Sequence, residues 1–178
     1  MLLRPLVVSL SLLCGSALAD VQSCKKLFER APQVLSDLNQ IGSEVYEDSH
    51  PGLGYSASFA DPSSKITVFF YDHQQRDVSS EMALESFKQA ARDIAAIAAR
   101  RGAELGEINA YQLRDPSQVL PYRAEAKASD GLSELLAVGV VDNCIVKLRF
   151  TARFPMEKAQ VWMKVLSDYL NKGYGKPT

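Results

Sequence analysis

The sequence is sparing in several residue types, and each scarcity excludes something. It has one tryptophan, two histidines and three cysteines. Three cysteines without a Cys-x-x-Cys pair rule out a redox-motif reading and a cysteine-rich zinc site. The two histidines, His50 and His73, lie outside any His-Glu-x-x-His spacing. No Gly-x-Ser-x-Gly elbow is present, and no glycine-rich loop leads into a helix, so serine catalysis and nucleotide binding lack their motifs. Charge of one sign is not in excess: 20 basic residues face 21 acidic ones, with a formal net charge of −1. That balance gives no electrostatic reason to expect nucleic acid. Apolar runs stay well short of the eighteen residues a membrane span needs.

What is present begins with a leader. Arg4 supplies a short positive region, Leu6 to Leu13 a brief apolar run, and Ala17-Leu18-Ala19 a small-x-small cleavage signal before Asp20. Residues 1–19 are therefore expected to be a secretory signal peptide, and 20–178 a single exported domain. Leu12-Leu13 before Cys14 make a poor lipid-attachment signal, so the expectation is a soluble periplasmic or secreted monomer. Cleavage removes Cys14 and leaves Cys24 and Cys144. An even pair in an oxidising compartment is most simply a disulfide; the competing reading is a nucleophilic Cys144.

The periodicities predict the elements. Val21, Cys24, Phe28 and Ala31 recur at helical spacing, and Val34, Leu35 and Leu38 are read as continuing that helical face beyond Pro32. Residues 41–54 read as loop. Tyr55, Ala57 and Phe59 alternate with serines, and Ile66 to Tyr71 return as a second strand across Asp61-Pro62-Ser63-Ser64. A long helix runs from a Ser79 or Ser80 cap through Leu84, Phe87, Ala91, Ile94 and Ala98 to a stop at Gly102. Strands follow at Ile108 to Leu113, Tyr122 to Ala128, Leu135 to Val141 and Cys144 to Thr151, the last two joined by an Asp142-Asn143 turn. A final helix opens at Pro155 with a stripe of Ala159, Trp162, Leu166 and Tyr169, before a frayed tail. The fold class expected is α+β: an antiparallel sheet, made of a hairpin and a three- to four-stranded meander, sandwiched by helices. Cys24 on the helix stripe and Cys144 in phase with Val146, Leu148 and Phe150 would clamp the first helix to the core face.

From about Gly54 to Leu170 this pattern resembles the PsbP-like domains, exported proteins named for a photosystem II accessory subunit. The resemblance rests on Gly54-Tyr55-Ser56, the strand Ile66 to Tyr71, the aromatic-led Tyr122-Arg123-Ala124-Glu125, and the run from Phe150 to Trp162. It implies an antiparallel sheet between helices and a non-enzymatic accessory or binding role, with no catalytic residues and no cofactor to carry over. A tryptophan beside Pro62 and an Arg-His pair in the meander are missing, and the Cys24 helix looks like an addition.

The surface candidate is the sheet face opposite Cys144. Leu136, Val138 and Val140 share that face with Ile145, Lys147 and Arg149, and Arg123, Glu125 and Lys127 are expected to extend it. The simpler expectation is that a helix covers the apolar part while the charged ends reach water. The candidate binding surface is therefore Arg123, Lys127, Val138, Lys147 and Arg149, suited to a protein partner or a small anionic amphiphile. Three functions follow: an accessory or binding protein, an inhibitor or immunity protein that neutralises a periplasmic hydrolase, and a secreted hydrolase with a composite His50/His73 site. A pocket containing either histidine would favour the hydrolase.

Overall fold

The computed structural model describes residues 21–31, 34–35, 38–115, 118–153 and 156–172. The expected leader, Pro155 and the expected tail lie outside them. Three helices, α1 (Val21–Glu29), α2 (Ser80–Arg100) and α3 (Met156–Lys172), accompany eight strands. The strands are β1 (Val34–Leu35), β2 (Leu38–Val45), β3 (Tyr55–Asp61), β4 (Ser64–Tyr71), β5 (Asn109–Gln112), β6 (Tyr122–Lys127), β7 (Ser133–Val141) and β8 (Cys144–Ala152). They form one antiparallel sheet in the order β1-β2-β3-β4-β8-β7-β6-β5. The expected α+β sandwich is the fold. The N-terminal hairpin strands and the C-terminal meander meet at the β4–β8 pair, so the two longest alternating segments lie side by side at its centre.

Two expectations fail between Pro32 and Gly54. Val34, Leu35 and Leu38 do not continue a helix. Val34 and Leu35 form β1, which pairs back onto β2 with Leu35 opposite Leu38. Both leucines are fully buried in the core. A step of three suits one helix face, but it also suits facing partners of two antiparallel strands, as Leu35 and Leu38 are here. The segment read as loop from Ile41 onward is strand as far as Val45, paired with β3 across an irregularity between Gln40 and Gly42. Its residues are exposed, Ile41 and Val45 included, because β2 lies near the sheet edge. Such a strand is held by its partner's backbone rather than by its own side chains.

The other signals act as expected. Ser79 accepts a hydrogen bond from the Met82 N–H at the start of α2, and Gly102 leaves the helix with φ +74°. Asp142 and Asn143 both adopt positive φ in the β7–β8 turn. Asn143 does more than turn the chain. Its side chain accepts from the Val78 N–H at 2.8 Å and donates to the Arg76 carbonyl at 2.7 Å, which pins the approach to α2.

Each face of the sheet has its own core. On one face, α1 and α3 cover Phe59, Ile66, Val68, Phe70, Val146, Leu148 and Phe150. Cys24 and Cys144 are joined there by a disulfide, and Phe28 stacks on Tyr55 beside it. Trp162 of α3 meets Phe150 edge to face at 5.2 Å. The Tyr169 hydroxyl donates to the Leu27 carbonyl at 3.0 Å, linking α3 to α1. On the other face α2 packs mainly over β7, with Ala83, Phe87, Ala90 and Ile94 on Leu136, Val138 and Ile145. Alanines at two of those four helix positions, Ala83 and Ala90, let the helix approach closely. One helix does not span eight strands, so the β3–β4 half of this face lies open beside α2.

Candidate functional site

The alternation of β4 and β8 builds a groove along the flank of α2. On β4, Ile66, Val68 and Phe70 enter the disulfide-side core, which turns Lys65, Thr67, Phe69 and Tyr71 to the α2 side. On β8 the same rule turns out Ile145, Lys147, Arg149 and Thr151. The register sets these two rows against each other as Tyr71–Ile145, Phe69–Lys147, Thr67–Arg149 and Lys65–Thr151. The other wall is a helical stripe: Ser86, Gln89, Ala90 and Asp93 toward one end, Ile97 and Arg101 toward the other. From Lys65 to Tyr71 the floor runs about 20 Å.

The end nearer Tyr71 is a cavity of about 280 Å³ lined by Tyr46, Leu53, Phe69, Tyr71, His73, Ser86, Gln89, Ala90, Asp93 and Lys147. Lys147 lies at its floor. The ammonium is 4.5 Å from the centre of the Phe69 ring and 5.3 Å from that of Tyr71. Among the described residues no carboxylate comes within 4.0 Å of it. Burial pushes its pKa down, and the more distant Asp93 only partly opposes that. Burial likewise lowers the His73 pKa, against the pull of the neighbouring Asp72. The Tyr71 hydroxyl is hydrogen-bonded to the Ser86 hydroxyl. Burial holds its pKa up at about 12, so it stays protonated at neutral pH.

The other end is a cavity of about 520 Å³, whose charged lining is Asp61, Lys65, Arg101, Arg149 and Arg153. Asp61 is turned inward on the β3–β4 turn, accepting from the backbone and hydroxyl groups of Ser63 and Ser64 at 2.7–2.9 Å. Glu134, at the edge of this site, is 1% exposed. Its carboxylate accepts from Arg101 at 2.9 Å and from the Thr151 hydroxyl at 2.7 Å, with Arg149 at 3.7 Å.

The structure divides the sequence-derived candidates. Lys147 and Arg149 do share the α2-side face and lie in the groove. Val138 shares that face too, but it is fully buried beneath α2 and out of reach of a ligand. Arg123 and Lys127 are on the wrong side. Arg123 pairs with Ala137 and Lys127 with Ser133, while it is Tyr122 and Ala124 that face Val138 and Leu136. Ala137 belongs to the disulfide-side core, so these two cations extend the opposite face. The loops carrying His50 and His73 do meet: the His73 N–H donates to the Gly52 carbonyl at 3.0 Å and the Gln74 amide to that of Pro51 at 2.8 Å. Only His73 reaches the cavity. His50 is exposed and contacts the Ser49 hydroxyl at 2.9 Å. Phe69, Tyr71 and Ser86 went unselected in the sequence. The signal for the two aromatics was there, in their opposite phase to Phe70.

No family model and no curated protein matches the chain. Solved structures similar to it include the following two. One is the extracellular domain of PknH from Mycobacterium tuberculosis, at 10% identity and a TM-score of 0.41, covering 66% of this chain and 63% of that domain. The chain thus spans less than two thirds of that neighbour's length. The other is cyanobacterial PsbP from Synechocystis sp. PCC 6803, at 15% identity and a TM-score of 0.41, covering 74% of this chain and 78% of that one. The similarity to PsbP is one of fold and extends to neither activity nor partner.

Proposed function

We propose that the protein is an exported, non-enzymatic binding protein that takes an anionic amphiphile into the groove between α2 and strands β4 and β8. The observation that carries this reading is Lys147, a cation held over two aromatic rings at the floor of a largely apolar cavity. Burying an ammonium with no close carboxylate is unfavourable. An incoming anion relieves that cost, while its apolar part covers Phe69, Tyr71, Leu53 and Ala90. The Cys24–Cys144 disulfide and the expected leader support export.

His73 in the cavity meets the condition set for a hydrolase, yet the surrounding chemistry does not supply one. Serine catalysis needs a base within hydrogen-bonding reach of the nucleophile. The partner of Ser86 is Tyr71, whose proton is held until far above neutral pH. Binding is the better reading of the same groove.

The test is titration of the exported chain, residues 20–178, with octanoate and with octanol, followed by backbone NMR. Octanoate should bind more tightly and shift the signals of Phe69, Tyr71 and Ala90. Lys147→Met should abolish the preference for octanoate without loss of fold. Equal binding of both probes to the wild type, or shifts that avoid the groove, would overturn the assignment. So would ester hydrolysis that Ser86→Ala eliminates.

A further inference from the structure

The groove is polar along its length in a definite sense, and this sets the shape and charge of what fills it. Read along the floor from Tyr71 to Lys65, it starts in aromatic and aliphatic side chains, passes Lys147 beside Phe69, then reaches Arg149 beside Thr67, and ends at Lys65, Arg101 and Arg153. Phe69 lines both cavities, so the two adjoin at its ring. Lys147 and Arg149 are alternate residues of one strand, about 7 Å apart along it.

The cations at the far end differ in how they are used. Arg101 is committed to Asp130 at 3.1 Å and to the buried Glu134 at 2.9 Å. Arg149 touches Glu134 only at 3.7 Å. Lys65 and Arg153 are exposed and make no ion pair within 4.0 Å among the described residues. Of the carboxylates there, Glu134 is buried, and half-buried Asp61 has its Oδ1 taken by the Ser63 and Ser64 donors. The charge lining the larger cavity is therefore predominantly positive, four cations against Asp61.

Building on the binding role assigned to the Lys147 pocket, we infer that the far end is a second anion subsite, and that the ligand is an amphiphile with a multiply charged, phosphate-type head. The apolar part lies against Tyr46, Leu53 and Tyr71. The first negative group meets Lys147, and the next is received by Arg149 with Lys65 and Arg153. A phosphate or diphosphate offers oxygens enough for several cations at once, with the arginine forks bidentate, whereas a lone carboxylate has only two. A simple fatty acid would fill the first cavity and leave the second empty.

Three probes separate the parts: octanoate for the apolar end, pyrophosphate for the cationic end, and geranyl diphosphate, which joins a short apolar chain to a diphosphate. Pyrophosphate should shift the signals of Thr67, Ile97 and Arg149 and leave Leu53 unmoved. Geranyl diphosphate should bind at least about ten-fold more tightly than either part, because the second contact becomes intramolecular. The double variant Lys65→Gln/Arg153→Gln changes two exposed side chains and should keep the fold. It should weaken pyrophosphate and geranyl diphosphate by about ten-fold while octanoate stays within about two-fold. Octanoate binding with no pyrophosphate shifts at Arg149, or a double variant that binds geranyl diphosphate like the wild type, overturns the second subsite and leaves the Lys147 pocket standing. Pyrophosphate binding at Arg149 with no octanoate binding has the opposite meaning: the anion subsite holds and the apolar pocket is wrong.

Discussion

The Lys147 ammonium lies 4.5 Å from the centre of the Phe69 ring, and the two residues are direct cross-strand partners on β8 and β4. Cross-strand neighbours are close enough for the lysine stem to lie along the ring and for its charge to meet the electron-rich face. This pair makes the groove a place where an anion and an apolar group are both welcome.

Its pH dependence follows from burial, which lowers the Lys147 pKa below the usual 10.5. Anion affinity needs the ammonium, so it should fall as pH rises through that lowered pKa, earlier than for an exposed lysine. For folding the sign runs the other way. Between the lowered pKa and 10.5 the unfolded chain binds more protons, so the cost of burying Lys147 is present at neutral pH and is relieved as pH rises through that window. Lys147→Met should therefore leave the denaturation midpoint at pH 7 unchanged or raised. A clear fall would mean that the ammonium is stabilised by its surroundings.

The disulfide joins residues 120 apart in sequence. In the chain-entropy account a closed loop of that length contributes about 4–5 kcal/mol. The unreduced, unfolded exported chain should show no free thiol. Cys24→Ser/Cys144→Ser should lower the urea midpoint sharply, with the loss felt first at α1. Full labelling of both cysteines would return Cys144 to the list of reactive groups.

Trp162 is 3% exposed against Phe150, whereas His73 is exposed on a loop. Trp162→Ala should cost about 3–5 kcal/mol, as truncation of a buried aromatic does. His73→Ala should change stability by about 0.5 kcal/mol or less, as surface substitutions do. The ranking is read from chemical denaturation of the two variants side by side.

Gly54 and Gly102 both adopt positive φ, +69° and +74°, but their surroundings differ. A Cβ on Gly54 would lie 1.8 Å from the Phe70 carbonyl oxygen, while one on Gly102 would meet nothing within 4 Å. Gly102→Ala should cost about 1–2 kcal/mol, the conformational term alone. Gly54→Ala should cost more than that, because the β3–β4 backbone has to move apart. Equal midpoints for the two variants would contradict that close approach.

Much of this molecule is local, and its sequence states it. The alternations at β3, β4, β7 and β8, the Ser79 cap, the Gly102 stop and the Asp142-Asn143 turn each depend on residues a few positions apart. The shared phase of Cys144 with Val146, Leu148 and Phe150 is of the same kind, and it alone puts the disulfide on the core face. Tertiary structure decided the rest. β2 is a strand because β3 lies beside it; Ile41 and Val45 favour a strand, but the Gly42, Ser43 and Glu44 between them carry little preference. Arg123 and Lys127 fell on the wrong face because alternation tells which residues of one strand share a side, whereas the turn at Ser129-Asp130-Gly131 decides which side meets that of β7. The groove itself joins β4 to β8 and both to α2, with Lys65 and Thr151 paired across more than eighty residues of chain. Its polarity is set by the register between two strands, and register is a property of the pairing that neither strand carries alone.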